Sequence, residues 1–254
     1  MDKSILDKLD KFLKTYENIN DVIGVLVCGS YVTGHPNSHS DLDVHLVLNE
    51  NVNYRERGNR IVDGLLIEYF ANTQRQIEKY FSDDYSSVAP MSQTQFATGK
   101  IIRDDFLIVE NLKVEAREQL NKKFSGVNCA PSMLTLYAVW DMLDDLQSIY
   151  EEGRADFDFI YFNNLDKFLK IYFKSKKIPY NAKTVVGHIT NETTRQKYLL
   201  EEIKDEQLKS LVVTAITSSD RAQRLNAFSS MANELLNEFN FNIENFTFKS
   251  DESL

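Results

Sequence analysis

The sequence predicts an α+β protein: an N-terminal half with a small mixed β-sheet flanked by helices, then a C-terminal all-α helical bundle. Three observations predict it. Six of the nine glycines lie at or before Gly99, and the clearest strand-like runs fall in the same half. From Ser132 to about Phe239 the apolar spacing turns helical, with Gly153, Pro179 and Gly187 as the strong breakers. Between these regimes, the segment Phe124 to Pro131 has the composition of a boundary. At 254 residues, the chain suits one large or two modest domains of about 100–200 residues each. The expected division is 1–124, 132–240 and a tail over 241–254, with Lys249 to Leu254 frayed.

Taken in order, Ile5, Leu9, Phe12, Leu13 and Tyr16 recur at helical spacing and open the chain with an amphipathic helix. Val22 to Cys28 is a short β-branched run between Asp21 and Gly29, the pattern of a buried strand. In a second strand, Leu42, Val44, Leu46 and Leu48 alternate with Asp41, Asp43, His45 and Val47. Asp63-Gly64 is a hairpin-type turn pair, followed by a strand from Leu65 to Phe70. A helix is expected over about Thr73 to Phe81, a strand over Lys100 to Arg103, and a helix over Asn111 to Lys123. In the second half, Pro131 suits the first turn of a helix running to about Tyr150. Further helices are expected at Phe157 to Lys174, Thr193 to Lys209 and Asp220 to Phe239. The Phe157 to Lys174 segment is apolar on most sides and reads as a helix buried centrally in the bundle.

Composition excludes several classes of function. Twenty-nine basic residues against 38 acidic ones give a net charge of −9, without a long basic run. Non-specific nucleic-acid binding depends on clustered Lys and Arg, so a nucleic-acid partner is not expected. The longest apolar run falls far short of the roughly 20 residues a membrane span needs, so no membrane partner is expected. The mixed-charge opening Met1-Asp2-Lys3-Ser4 lacks the pattern of a secretory signal, and a cytoplasmic location is expected. Two cysteines, Cys28 and Cys129, make no disulfide framework. No G-x-x-x-x-G-K-[ST] segment is present, which rules out a P-loop.

The informative stretch runs from Cys28-Gly29-Ser30 through the turn residues Gly34 and Pro36 to Ser40-Asp41-Leu42-Asp43. Strand side chains alternate, so Asp41 and Asp43 project from one side of the sheet. Two carboxylates standing together repel unless a cation lies between them, and Mg²⁺ characteristically takes one or two carboxylates plus substrate phosphates. Gly29-Ser30 offers close backbone approach to a phosphate and a hydroxyl donor. Glu68 lies inside the apolar strand Leu65 to Phe70, where an unpaired charge is costly. If that strand neighbours the one bearing the aspartates, three acids converge; the alternative is a structural ion pair with a Lys or Arg. His35, His39 and His45 raise the question of zinc, but their irregular spacing favours polar loop residues, although His45 shares the face of the aspartates. Cys28 reads as a core residue.

Gly-Ser, a loop of this length and then Asp-x-Asp between apolar residues resembles the signature of the nucleotidyltransferase superfamily typified by DNA polymerase beta. Gly99-x-Ile-x-Arg-Asp104 and the helix after it resemble a late strand and helix of such domains. Among its branches, the chain is most similar to the aminoglycoside and lincosamide nucleotidyltransferases, which add a C-terminal helical domain. The resemblance implies that Gly29 and Ser30, with Ser40, hold a nucleoside triphosphate, and that Asp41, Asp43 and Glu68 bind two Mg²⁺ ions. It further implies transfer of a nucleoside monophosphate, AMP from ATP, to a hydroxyl of a small acceptor such as an antibiotic, with release of pyrophosphate. Rival readings are a protein or RNA acceptor and an inactive nucleotide-binding module. A homodimer is compatible with the resemblance.

In the second half, Met133, Leu136, Tyr137, Trp140 and Leu143 mark an apolar face, and Asp144 falls within that stripe. A carboxylate on an aromatic-lined face is a candidate general base, the plainer reading being a capped or salt-bridged Asp. By resemblance Lys183 reaches a phosphate; otherwise it is solvated.

Overall fold

The computed structural model describes residues 1–249, and the chain divides into two compact units, Met1–Val127 and the residues from Asn128 onward. The last expected frayed residues, 250–254, lie outside those described.

The first unit is built on a five-stranded mixed sheet in the order β3-β4-β2-β1-β5. Its strands are β1 (Val22–Cys28), β2 (Leu42–Leu48), β3 (Glu56–Val62), β4 (Leu65–Thr73) and β5 (Lys100–Asp104). Neighbours pair antiparallel except β2 with β4, which run parallel. The alternation in β2 sends Leu42, Val44, Leu46 and Leu48 to one face, where they pack with Leu9 and Phe12 of α1 (Lys3–Thr15). On the other face Leu26, Cys28 and Val47 meet Ile77 and Phe81, Phe96, and Val109 and Leu112. These come from α3 (Gln74–Ser86), α4 (Met91–Thr98) and α5 (Ile108–Asn121) respectively.

Caps explain where these helices begin. Thr73 ends β4 and caps α3: its hydroxyl accepts the Gln76 N–H while the Gln76 side chain accepts the Thr73 N–H, a reciprocal box. The Asp104 carboxylate accepts the Val109 and Glu110 N–H groups and so starts α5. Strand β3 and helix α4 are absent from the sequence expectations. β3, Glu-Arg-Gly-Asn-Arg-Ile-Val, is largely exposed and shows no apolar alternation. α4 buries Gln93 beside Phe96 and Ala97, which blurs its periodicity.

The second unit is helical: α6 (Met133–Glu151), α7 (Phe157–Ser175), α8 (Val185–Thr190), α9 (Glu192–Tyr198), α10 (Glu206–Thr217) and α11 (Arg221–Glu238). Its core joins Leu136, Val139 and Leu146 of α6, Tyr161, Phe168 and Tyr172 of α7, Val212 of α10 and Phe228 of α11. Three expectations are corrected here. Pro131 precedes α6, whose N-cap is Ser132 with its hydroxyl accepting the Thr135 N–H. The buried stripe of α7 is one face, Phe157-Tyr161-Leu165-Phe168-Tyr172, and Phe159, 79% exposed, points away from it. The single helix expected over Thr193 to Lys209 is broken: Leu199 turns left-handed at φ 51°, and Asp205 caps a new helix through the Leu208 N–H. Beyond α11, Phe246 stacks on Tyr137 at 4.7 Å between ring centroids.

His188 of α8 is buried, and its ring Nε2 lies 2.8 Å from the Glu201 carbonyl oxygen. Burial holds its pKa below the ordinary value against the opposing pull of that carbonyl. A histidine depressed in the folded state contributes stability present above its unfolded pKa of about 6.5 and lost as pH falls below it. The second unit should therefore weaken in urea on going from about pH 7 to about pH 5. The change can be followed by Trp140, the chain's one tryptophan. His188→Gln, which keeps an N–H donor, should flatten that slope; an unaltered slope would assign it to other groups.

Candidate functional site

The site lies where β1, β2 and β4 end side by side. β1 delivers Gly29 with φ 77° and ψ −156°, a backbone conformation open essentially to glycine alone. A Cβ placed there would meet the Asp43 carboxylate oxygen Oδ2 at 2.1 Å, so that carboxylate lies directly over the Gly29 backbone. Ser30 then opens α2 (Ser30–Thr33), a single turn stopped by Gly34 at φ 85°. The following loop is braced internally. The Ser40 hydroxyl accepts the Asn37 N–H at 2.9 Å, and the Asn37 side chain accepts the His39 N–H at 2.8 Å. The chain thus enters β2 with Asp41 and Asp43 on the face that also carries α3, α4 and α5 farther along.

Register places the third acid. In the parallel β2–β4 pair, Asp43 stands opposite Glu68 and His45 opposite Phe70. Carboxylate oxygens of Asp41, Asp43 and Glu68 lie within 4.8 Å of one another, and all three residues are half-buried. Oxygen donors at this spacing suit a hard divalent cation, and the half-buried setting leaves room for water and substrate oxygens to complete its shell. Glu68 converges with the aspartates and also pairs with Arg57, Nη2 to Oε1 at 2.6 Å.

Beneath the acids the face turns apolar. His45 is buried, not a polar loop residue: its ring stacks on Phe70 at 5.3 Å, tilts against Phe96 at 4.8 Å, and meets the Gln95 side chain at 3.2 Å. Burial pushes its pKa down to about 4 against the opposing pull of the Gln95 hydrogen bond. It is neutral near pH 7 and serves as a packed spacer under Asp43. His35 and His39 are exposed in the loop. Burial pushes the Cys28 thiol up, and the charges of Asp43 and Asp41 push it further, so it stays protonated and packed.

Residues 6–82 match the nucleotidyltransferase domain family. The matched segment is less than half of the chain. The match spans Gly29, Ser30, Asp41, Asp43 and Glu68, and it supports nucleotidyl transfer in general. Among solved structures, the chain is similar to a nucleotidyltransferase-like protein from Exiguobacterium sibiricum 255-15. The identity is 12% and the TM-score 0.50, over 92% of this chain and 75% of that one, which is a likeness of fold. No curated protein matches the chain significantly.

Asp144 and Lys183 belong to the second unit, outside the matched segment. The buried stripe of α6 is Leu136, Val139, Leu143, Leu146 and Ile149. Asp144, one residue on from Leu143, is exposed, so the apolar surroundings expected to make it a base are absent. Lys183 is exposed in the turn before α8, its N–H donating to the Asn181 side chain. Arg57 and Phe70 are the site residues that sequence reasoning missed. A signal was available: counting back from the Asp63-Gly64 turn puts Asn59 opposite Glu68 and Arg57 opposite Phe70. Among the described residues, no helix is long and apolar enough to cross a membrane.

Proposed function

We propose that the protein transfers a nucleoside monophosphate, AMP from ATP, to a hydroxyl of a small acceptor. The leading acceptor class is an aminoglycoside or lincosamide antibiotic. The observation that carries this reading is Asp43 lying over the Gly29 backbone and opposite Glu68, with Asp41 beside them. In it Asp41, Asp43 and Glu68 hold divalent cations, Mg²⁺ in the cell. When bound, such ions neutralise triphosphate charge and favour the deprotonated acceptor hydroxyl. The chain's own part is placement. Gly29 leaves the backbone open to a phosphate, and Ser30 offers a hydroxyl donor. In an in-line displacement the attacking and leaving oxygens lie on opposite sides of the α-phosphorus. With the pyrophosphate toward Gly29 and Ser30, the acceptor hydroxyl approaches from the Glu68 side. In this reading the hydroxyl proton leaves to solvent water as the pyrophosphate departs.

The reading is tested by incubating the full chain with ATP labelled at the α-phosphate, Mg²⁺, an antibiotic panel and a cell lysate. The expected result is label on a small hydroxyl-bearing molecule with equimolar pyrophosphate. Label confined to protein or RNA would overturn the acceptor class. Nucleotide binding by calorimetry without transfer to any acceptor would overturn the enzyme.

A further inference from the structure

The Glu68 carboxylate already has a cation against it. Arg57 sits on the edge strand β3 with its side chain 69% exposed, whereas that of Glu68 is 22% exposed. Its Nη2 donates to Glu68 Oε1 at 2.6 Å, and its guanidinium carbon lies 4.7 Å from the centroid of the Phe70 ring. Two anchors therefore hold one charge. The hydrogen bond is to an oxygen of the acid cluster, and the aromatic face is that of Phe70, two residues along β4 from Glu68 and directly opposite Arg57. A charge-assisted bond of this kind offsets part of the repulsion among carboxylates packed within 4.8 Å.

We propose that Arg57 is the built-in counter-cation of the third acid: a positioning residue that competes with a divalent metal for Glu68. The inference rests on the reading of Asp41, Asp43 and Glu68 as a metal-binding set, and it adds how the chain balances that charge before metal arrives. A dication binding Glu68 must displace the guanidinium from Oε1 or share that carboxylate with it. Either way it meets the repulsion of a fixed positive charge a few ångströms off. The contact with Phe70, made already while Arg57 bonds Glu68, keeps a displaced guanidinium at the site instead of letting it swing into water.

The sign of the effect separates this role from the plain ones. A solvated edge residue would leave metal affinity unchanged when neutralised, and a mere prop for Glu68 would weaken it. A competing counter-cation makes the affinity rise. The full chain without nucleotide is titrated with Mn²⁺ at low ionic strength, free metal being read by electron paramagnetic resonance. Arg57→Gln is expected to tighten Mn²⁺ binding about three- to tenfold, shrinking as salt is added. Arg57→Lys, which keeps the charge, should stay within about twofold of the parent. In the background of Glu68→Gln, the effect of Arg57→Gln should shrink toward none, because the two substitutions act on one contact. Unchanged or weaker binding by Arg57→Gln, with thermal melting intact, would overturn the role of Arg57 alone. A parent chain that takes up no Mn²⁺ would overturn the metal-binding reading itself.

Discussion

Asp43→Asn should lower nucleotidyl transfer by about a thousandfold or more, equivalent to about 4 kcal/mol of lost transition-state stabilisation. Asparagine keeps the volume of the side chain, so packing against Gly29 and the β2–β4 register survive. What disappears is the negative charge at the centre of the cluster, opposite Glu68 and within 4.8 Å of both other acids. Folding should not suffer. Removing one of three crowded carboxylates relieves repulsion, so the metal-free variant should melt at or above the temperature of the parent. The pair of measurements is pyrophosphate release, with the acceptor identified by labelling, and a thermal melt without metal. A variant that keeps a tenth or more of the activity would place the chemistry elsewhere.

Gly29→Ala should damage both stability and transfer. The φ 77°, ψ −156° conformation costs a residue with a Cβ about 1–3 kcal/mol before any contact is counted. The added methyl would then fall 2.1 Å from the Asp43 Oδ2, so either that carboxylate rotates away or the backbone shifts. Displacing that Asp43 oxygen by an ångström should reduce transfer about a hundredfold. Gly34→Ala supplies the comparison. It also imposes a positive φ, 85°, but a Cβ there meets nothing within 4 Å. It should lose about 1–2 kcal/mol of stability with transfer little changed. Equal loss of transfer in both variants would reduce the Gly29 effect to general loosening of the loop.

The parts of the fold that bury apolar surface on a regular period were legible in the sequence. β1, β2 and β4 have runs or alternations that water would not tolerate exposed, and the Asp-x-Asp spacing on β2 already put both aspartates on one face. The meeting with Glu68 was conditional, because it depends on which strands are neighbours and in what register. That is settled by long-range pairing, not by any local pattern. β3 stayed hidden because both its faces are polar, and Arg57 stayed hidden with it. Asp144 was misplaced by a stripe drawn through Tyr137 and Trp140, which are only half-buried, instead of through Leu136, Val139 and Leu143. The break at Leu199 was invisible because a leucine in the left-handed region carries no sequence signal.

One border of the sheet is β3, whose outer N–H and C=O groups have no strand beyond them among the described residues. Such a border invites recruitment of another extended chain, and proteins deter it by loading the border with charge. Here Glu56, Arg57 and Arg60, with Arg55 just ahead of them, crowd one short segment, while Ile61 lies 75% exposed among them. The stretch that brings Arg57 to Glu68 therefore also sets charge where separate molecules could otherwise stitch together. Stripping several of these charges at once should make the protein prone to fibrous self-association.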